Sequence, residues 1–420
     1  MHTRNYDILV WGATGFTGQL VAEYLLRHDG PVLRRDGHGQ RLRWALGGRN
    51  LQKLQAVRQQ LTAIDPAAAQ LPLVVADAAD EPALLKAISD FAVVCTTVGP
   101  YALYGTPMVA ACAATGTHYC DLTGEVQWLR QMIDAHHGAA LQSGAKIVPT
   151  CGFDSIPSDL GAHQAIAAFA DTHQRMPTAV TTYVRDLKGS FSGGTVASQV
   201  SISEQSADPA LAAHWRNPYS LVQGDTSGLP PVGDIFAATF DAEQNCWTST
   251  FLMAPCNAKI VRRSLALNAN PAIRGIAYQE KMAFRRGFKG WALANSYNVG
   301  LALMQGSMAV GWMRRAMHPM LPQPGDGPDE QARIAGRFVF EVVASDASDR
   351  VQVTVRGDKD PGYGSTSGML AEAALCLALD GDRLPQVSGF LTPASAMGGV
   401  LVERLVRAGV TFSGSKESSQ

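Results

Sequence analysis

Three glycines near the amino terminus have the spacing of a loop that can hold a diphosphate. The segment GATGFTG at 12–18 follows an apolar run, and apolar residues at helical spacing come after it. A glycine turn between a strand and a helix lets the backbone approach a pyrophosphate, whose charge is stabilised by the amides that open the helix. The residues that we expect to contact a dinucleotide are Gly12, Thr14, Gly15, Phe16, Thr17 and Gly18. The alternative is an ordinary glycine turn before a helix.

A single arginine follows the second apolar run of the chain. Arg49 comes directly after residues 43–48, and Asn50 stands where it can cap the next helix. In dinucleotide-binding folds an acidic residue at this point holds the ribose 2′-hydroxyl, whereas an arginine accommodates a 2′-phosphate. Arg49 therefore favours NADPH over NADH as the cofactor, with a solvated surface arginine as the alternative.

Two more loops complete the predicted cofactor site. Ligands of doubly wound sheets lie beyond the carboxyl ends of the parallel strands. Asp77 follows the third apolar run, so we expect it near the adenine. The loop after the fourth apolar run is expected near the nicotinamide, and its residues are Thr97, Val98, Gly99 and Pro100.

Two tyrosines are the best candidates for catalysis. Tyr101 and Tyr104 follow the loop expected at the nicotinamide, where a hydroxyl can donate a hydrogen bond or a proton to a substrate. Packing is the alternative role of both. Asp154 and Asp159 lie where the chain changes character, and helix capping and turn formation account for them. His118 lies inside a predicted strand and is interpreted as a core residue.

Composition and charge exclude several classes of protein. The chain has 420 residues, with 35 Lys+Arg against 36 Asp+Glu and a formal net charge of -1. This balance gives no support for a nucleic-acid protein that acts by neutralising phosphates. The 7 cysteines include no CxxC pair, so neither a zinc ribbon nor a disulfide framework is expected, and we predict no metal site. No secretory signal pattern is visible, which favours the cytoplasm.

Alternating strands and helices must position these residues. Short apolar runs between residues 7 and 148 alternate with helical patterns, which predicts an α/β fold with a doubly wound parallel sheet, a Rossmann domain. After residue 155 the pattern predicts a second, mixed α+β domain. The expected parts are a Rossmann domain at 1–155, a substrate or dimerisation domain at 156–360, helices returning to the Rossmann domain at 361–412 and a flexible tail at 413–420.

Strand patterns in the second half are fewer. We expect strands at 178–185 and 258–263, and a hairpin of 337–343 with 350–356. A helix is predicted over 368–379.

One uncharged stretch, 290–313, lies between basic residues and is long enough to span a bilayer. Polar residues and glycines interrupt it, which disfavours a spanning helix. We favour a plain buried segment, and an interfacial helix that receives a lipid-like substrate is the alternative.

Longer motifs resemble the saccharopine dehydrogenase-like oxidoreductase family. The matching segments are YDILVWGATGFTG at 6–18, GGR at 47–49, VGPYALYG at 98–105, GTHYCDLTGE at 116–125, CGFDSIPSD at 151–159, GDKDPGYGS at 357–365 and LTPASA at 391–396. They are dense over 6–160 and recur over 355–408. Within the family the chain is most similar to the trans-acting enoyl reductases of bacterial polyketide-lipid synthesis.

The resemblance implies an NADPH-dependent enzyme. It reduces a carbon–carbon double bond in a lipid or polyketide chain for glycolipid synthesis, with an acyl chain or small molecule as substrate and a polyketide synthase as partner. A homodimer and peripheral contact with the inner face of the plasma membrane are open at this point. So are two alternatives: a saccharopine-type amino-acid dehydrogenase and a non-catalytic, membrane-associated nucleotide-binding protein.

Overall fold

A computed structural model describes residues 4–28, 42–189, 208–233, 237–309 and 327–415. Within these residues the strands form two sheets of seven strands each. The strands are β1 (Tyr6–Trp11), β2 (Trp44–Gly48), β3 (Leu73–Val75), β4 (Phe91–Thr96), β5 (His118–Cys120), β6 (Lys146–Val148), β7 (Ala179–Lys188), β8 (Thr239–Asp241), β9 (Cys246–Thr250), β10 (Ala277–Phe284), β11 (Arg337–Ser345), β12 (Arg350–Gly357), β13 (Gly389–Phe390) and β14 (Thr411–Ser415).

Helices connect and cover the two sheets. They are α1 (Phe16–His28), α2 (Leu51–Thr62), α3 (Glu81–Ile88), α4 (Tyr101–Tyr104), α5 (Thr106–Thr115), α6 (Val126–Ser143), α7 (Ile156–His173), α8 (Pro209–Arg216), α9 (Ala254–Ala266), α10 (Pro271–Arg274), α11 (Gly287–Ala309), α12 (Glu330–Ile334), α13 (Thr366–Leu379), α14 (Pro393–Ala396) and α15 (Gly398–Arg407).

The first sheet is parallel throughout and has the strand order β13-β6-β5-β4-β1-β2-β3. The chain begins at β1 in the middle, builds outward to β3 and then returns to build β4, β5 and β6 on the other side. This reversal is the topology of a doubly wound dinucleotide-binding fold, whose ligand lies at the carboxyl ends of the strands where the order reverses. The predicted Rossmann sheet is confirmed.

The second sheet is mixed, as expected for the second half. Its order is β14-β12-β11-β7-β10-β9-β8; only the β7–β10 pair is parallel in the part of the chain described, and the other pairs are antiparallel. The predicted hairpin is present as β11 and β12. Helix α7 packs on this hairpin and α9 packs on β10. Both helices therefore pack against the second sheet.

One predicted strand is wrong. Residues 258–263 lie in α9, a helix that begins at Ala254 with Pro255 in its first turn. Nearly every side chain of α9 is buried, including Arg262 and Arg263. The adjacent Ile260 and Val261 form a short apolar run, and such a run alone does not distinguish a buried strand from a buried helix. The proline, which is common at the start of a helix, was the signal to use.

The predicted start of the flexible tail, residue 413, is wrong because a strand continues to residue 415. Ser413 and Ser415 belong to β14, where they pair with Thr354 and Gln352 of β12. An edge strand gains its stability from backbone hydrogen bonds, so small polar side chains do not prevent it from forming. Residues 416–420 lie outside the described part.

A buried ionic cluster connects the carboxyl-terminal helices to the glycine-loop helix. Tyr24 of α1 donates a hydrogen bond of 2.8 Å to Glu372 of α13. Arg404 of α15 donates to the other oxygen of Glu372 over 3.2 Å and also pairs with Asp380. The side chains of Arg404 and Glu372 are each 7% exposed. Since loss of one partner leaves a buried charge without compensation, this cluster fixes α13 and α15 against α1.

The favoured interpretation of the uncharged stretch is also corrected. Residues 290–309 belong to α11, which contacts β9 and β10 along one side and exposes large apolar side chains elsewhere. Phe288 is 77% exposed and Leu303 is 69% exposed. The apolar side chains of this helix point in all directions around its axis, so contact with the sheet on one side leaves the others exposed. No described helix is long and apolar enough to cross a membrane, and residues 310–313 lie outside the described part.

Candidate active site

The glycines of the first loop have distinct structural reasons. Gly12 has a φ of +85°, and a Cβ on it would lie 2.6 Å from Val98 Cγ2. A Cβ on Gly18 would lie 2.2 Å from the carbonyl oxygen of Gly12. At Gly15 the nearest atom would be at an ordinary 3.4 Å, and this residue is exposed. Packing therefore requires glycine at the first and third positions, while the middle one leaves the backbone open to a ligand.

The open backbone lies at a helix terminus that suits an anion. The first turn of α1 carries no acidic side chain. The ring of Phe16 meets Tyr363 edge-on at 4.8 Å, and the guanidinium of Arg333 lies 5.8 Å from the Phe16 ring centre. The helix dipole and the nearby arginine make the potential here favourable for phosphate. The residues present thus fit the diphosphate of a dinucleotide. Arg333 was not predicted from the sequence.

The loop after β4 contacts the glycine loop directly. Thr97 donates from its backbone to the Trp11 carbonyl over 3.0 Å and from its hydroxyl to the Gly12 carbonyl over 3.3 Å. Val98 donates from its backbone to the Thr96 hydroxyl over 3.3 Å. The structure therefore brings together the residues predicted at the diphosphate and at the nicotinamide.

The two residues predicted at the adenine end follow the neighbouring strands. Arg49 comes directly after β2 and is exposed; among the described residues its guanidinium has no hydrogen-bond or ion-pair partner. Asn50 caps α2, as predicted, by accepting from Lys53 N over 3.0 Å. Asp77 follows β3, is exposed, and accepts from Ala79 N over 3.0 Å. Both charged side chains therefore lie at the same sheet edge as the glycine loop.

The two candidate tyrosines differ sharply. Tyr101 is buried, and its hydroxyl donates to the Thr96 carbonyl over 3.3 Å and accepts from Leu122 N over 3.1 Å. Burial holds the pKa of Tyr101 well above its usual value. Its hydroxyl proton is already used within the protein. Tyr104 is 48% exposed, and its hydroxyl forms no hydrogen bond with the residues described here. Only Tyr104 presents a hydroxyl to an incoming molecule.

Two buried carboxylates hold these loops, and neither was predicted to matter. Asp121 accepts from Tyr119 OH over 2.7 Å and from the backbone of Thr123 and Thr150, each over 2.9 Å. Burial raises the pKa of Asp121 to about 6. Glu125 accepts from the backbone N–H groups that open α4. The motif at 116–125 contains both residues, so their signal was present in the sequence without a role assigned to it.

The remaining titratable candidates divide into structural and unpartnered groups. His118 accepts a hydrogen bond from Lys146 N, and burial lowers its pKa to about 4, which confirms a neutral core residue. Asp159 accepts over 2.8 Å from Ala394 N, an N–H group that opens α14, and also from Ser264 of α9, so its role at a helix terminus is structural. Asp154 does not cap a helix, because the cap of α7 is residue 155 and no side chain bonds there.

Comparisons with known proteins agree with this arrangement. A family model described as the saccharopine dehydrogenase NADP binding domain matches residues 8–197. One relative, from Mycobacterium tuberculosis, is 39% identical over 426 residues, with 97% of each chain covered. It is provisionally named a trans-acting enoyl reductase. A trans-acting enoyl reductase from the same species is 37% identical, again over 97% of each chain. The chain belongs to the trans-acting enoyl reductases of the saccharopine dehydrogenase-like family.

The fold agrees with this membership. The saccharopine dehydrogenase (L-Glu forming) of Saccharomyces cerevisiae superposes with a TM-score of 0.51 at 14% identity, over 98% of this chain and 100% of that chain. At this identity the likeness concerns the fold alone. The predictions of NADPH as cofactor and of an NADP-dependent enoyl reductase are confirmed by the family. The roles of individual side chains stay predictions.

The contact between Gly18 and Gly12 gives a direct test of the phosphate loop. In Gly18→Ala the new methyl group meets a backbone carbonyl, so we expect a lower melting temperature and loss of NADPH binding. In Gly15→Ala the methyl group has room, so we expect the melting temperature to stay within a few degrees while NADPH affinity falls. Thermal unfolding and fluorescence titration with NADPH measure the two effects. Equal melting temperatures for the two variants would contradict this account of the loop.

Proposed function

We propose that the protein uses NADPH to reduce the α,β double bond of an acyl thioester carried by a polyketide synthase, in the synthesis of a lipid. The observation that carries this proposal is sequence similarity to trans-acting enoyl reductases over nearly the whole length: the Mycobacterium tuberculosis relative is 37% identical, with 97% of each chain covered. The second domain is covered by this similarity as well as the Rossmann domain. The similarity therefore supports a shared substrate class in addition to a shared cofactor.

The side chains at the sheet edge divide the work of binding. Backbone amides at 14–17 hold the diphosphate, Arg49 receives the 2′-phosphate, and Asp77 lies on the adenine side. The loop at 97–100 faces the nicotinamide. Bound NADPH supplies the hydride. Tyr104 donates a hydrogen bond to the thioester carbonyl, where negative charge develops as the double bond is reduced.

Transfer of a labelled hydride tests the reaction. With NADPH carrying deuterium at C4 and a trans-2-enoyl thioester, we expect one deuterium at the β-carbon of a saturated product, seen by mass spectrometry and NMR. An enoyl chain on a carrier-protein domain should be reduced with a lower KM if a synthase is the natural partner. Saccharopine with NADP is the control for the amino-acid alternative. Turnover of saccharopine without any reduction of enoyl thioesters would overturn the proposal.

Removal of the Arg49 guanidinium tests the 2′-phosphate contact. A charge-assisted hydrogen bond to phosphate is lost in Arg49→Ala, so NADPH affinity should fall on the order of 10- to 100-fold, with NADH affinity unchanged. Lys53→Ala, on the exposed face of the helix that follows, is the matched control and should change neither. Titration of both nucleotides by fluorescence gives the comparison. Unmodified protein that binds NADPH and NADH equally well refutes the role of Arg49.

One exposed surface supports peripheral membrane contact, which would bring the enzyme to a lipid product. We define the α11 surface by Arg285, Arg286, Phe288, Lys289 and Trp291. The rings of Phe288 and Trp291 stack at 5.4 Å, and Trp291 is 43% exposed. The three basic side chains are exposed, and none forms an ion pair with another described residue. Aromatic rings beside unpaired cations complement an anionic lipid surface.

Vesicle binding decides between a lipid surface and a second protein copy. We expect the unmodified protein to sediment with phosphatidylserine-containing vesicles more than with neutral ones, and less at high salt. The double variant Phe288→Ser and Trp291→Ser should lower this binding roughly tenfold. Val406→Ser, an equally exposed apolar site on α15, should leave it unchanged. If the double variant binds vesicles normally but converts a dimer into monomers in sedimentation velocity, the surface is a homodimer interface and lipid contact is excluded.

A further inference from the structure

The loop between β6 and α7 presents a carboxyl group without a partner. Asp154 accepts no hydrogen bond and forms no ion pair with any residue in the described ranges. The buried carboxylates nearby behave differently, since Asp121 accepts from three donors and Glu125 from at least two. A half-buried carboxyl group that no donor of the fold stabilises is available to a bound molecule, so its position at this edge is consistent with a role in the reaction.

The backbone on both sides of Asp154 is held firmly. Thr150 has a φ of +62°, and its N–H donates to Asp121 over 2.9 Å. Cys151 N donates to the Asp121 carbonyl over 2.7 Å. Phe153 N donates over 3.0 Å to the hydroxyl of Thr366, at the start of α13. The direction of the intervening loop is therefore set by the first sheet and by the carboxyl-terminal segment together.

This loop is in contact with the nicotinamide side of the site. A Cβ on Gly152 would lie 2.7 Å from Leu122 Cδ2, and Leu122 N donates to Tyr101 OH over 3.1 Å. Tyr101 in turn bonds the end of β4, next to Thr97. Strands β4 and β6 are separated only by β5, which places their carboxyl ends about 10 Å apart. That gap suits a substrate lying across the nicotinamide.

Residues of the second half of the chain supply the charge nearest to this loop. Burial, and after it the negative charge of Asp154, raises the pKa of Cys256 on α9 to about 12. The ammonium of Lys259, also on α9, is bonded to the Pro255 carbonyl, and Glu280 of β10 is bonded to Ser158 and Asn257. Burial raises the pKa of Asp154 to about 6. The side chain stays partly exposed, so water can return a proton to it.

We propose that Asp154 is the general acid of the reaction and protonates the α-carbon of the enoyl thioester. This inference rests on the proposed enoyl reduction. Hydride from NADPH forms the new C–H bond at the β-carbon, and the electron pair of the double bond moves toward the α-carbon and the carbonyl. The O–H bond of Asp154 breaks as its proton forms the second C–H bond. The resulting carboxylate takes a proton from water, so one NADPH and one proton are consumed.

Replacement of Asp154 by Asn removes the proton and keeps the shape. We expect Asp154→Asn to lower kcat for enoyl reduction on the order of 100- to 10,000-fold, with NADPH affinity within about twofold of the unmodified protein. Asp154→Glu should restore part of kcat. The kcat of the unmodified protein should fall as the pH rises above about 6, because the acid is then ionised, and the Asn variant should lose this dependence. Asp171→Asn, at an exposed position on α7, the helix that follows the loop, is the control for each measurement.

Two readouts separate catalysis from a structural role. Asp154 has no bonding partner to lose, so the melting temperature of Asp154→Asn should be equal to or above that of the unmodified protein. In heavy water the unmodified protein should place deuterium on one face of the α-carbon, while residual product of the Asn variant should have a mixture of both configurations. Unchanged kcat and stereochemistry in an active Asn variant would overturn the role of Asp154 and leave enoyl reduction intact. An unmodified protein that reduces no enoyl thioester would overturn both.

Discussion

The site depends first on one buried carboxylate that binds backbone amides. Asp121 accepts hydrogen bonds from its own loop and from Thr150 of the next loop, and its backbone carbonyl accepts from Cys151. Beyond the last paired residue of a strand, the backbone N–H groups have no partner in the sheet and need other acceptors. Asp121 supplies these partners to two adjacent loops at once. The positive φ of Thr150 is tolerated because this bond fixes it, and the loop that carries Asp154 begins there.

Much of the cofactor half could be predicted because its signals are local. The glycine turn, Arg49, the Asn50 cap and the apolar runs of a buried parallel sheet are each readable within a few residues, and the structure places them at one edge as expected. The family motifs added the enoyl reductase function. The sequence did not show which polar side chains that are far apart along the chain contact each other in the fold, such as Tyr24 and Glu372.

The errors at α9 and α11 have different physical origins. A short apolar run, Ile260 and Val261, concealed α9 although the faces of this helix differ in polarity, whereas α11 is apolar on all sides and shows no face that would identify it. The sequence also did not distinguish the two candidate catalytic tyrosines. Tyr101 and Tyr104 look alike in the sequence, yet one hydroxyl is consumed by Thr96 and the other is open. Partner use is a property of the folded chain.

Both sheets receive a strand from the last part of the chain. Phe390 in β13 extends the first sheet beside β6, and β14 extends the second sheet beside β12. Arg263 of α9 reinforces this arrangement by donating to the Phe390 carbonyl over 2.7 Å. The nucleotide-binding domain is consequently not an independent segment of the chain. In a fragment that stops after β6, this strand would be an unpaired edge of the parallel sheet and α1 would lose the helix that covers it. Recombination between relatives therefore has to exchange the amino-terminal and carboxyl-terminal parts of the gene together.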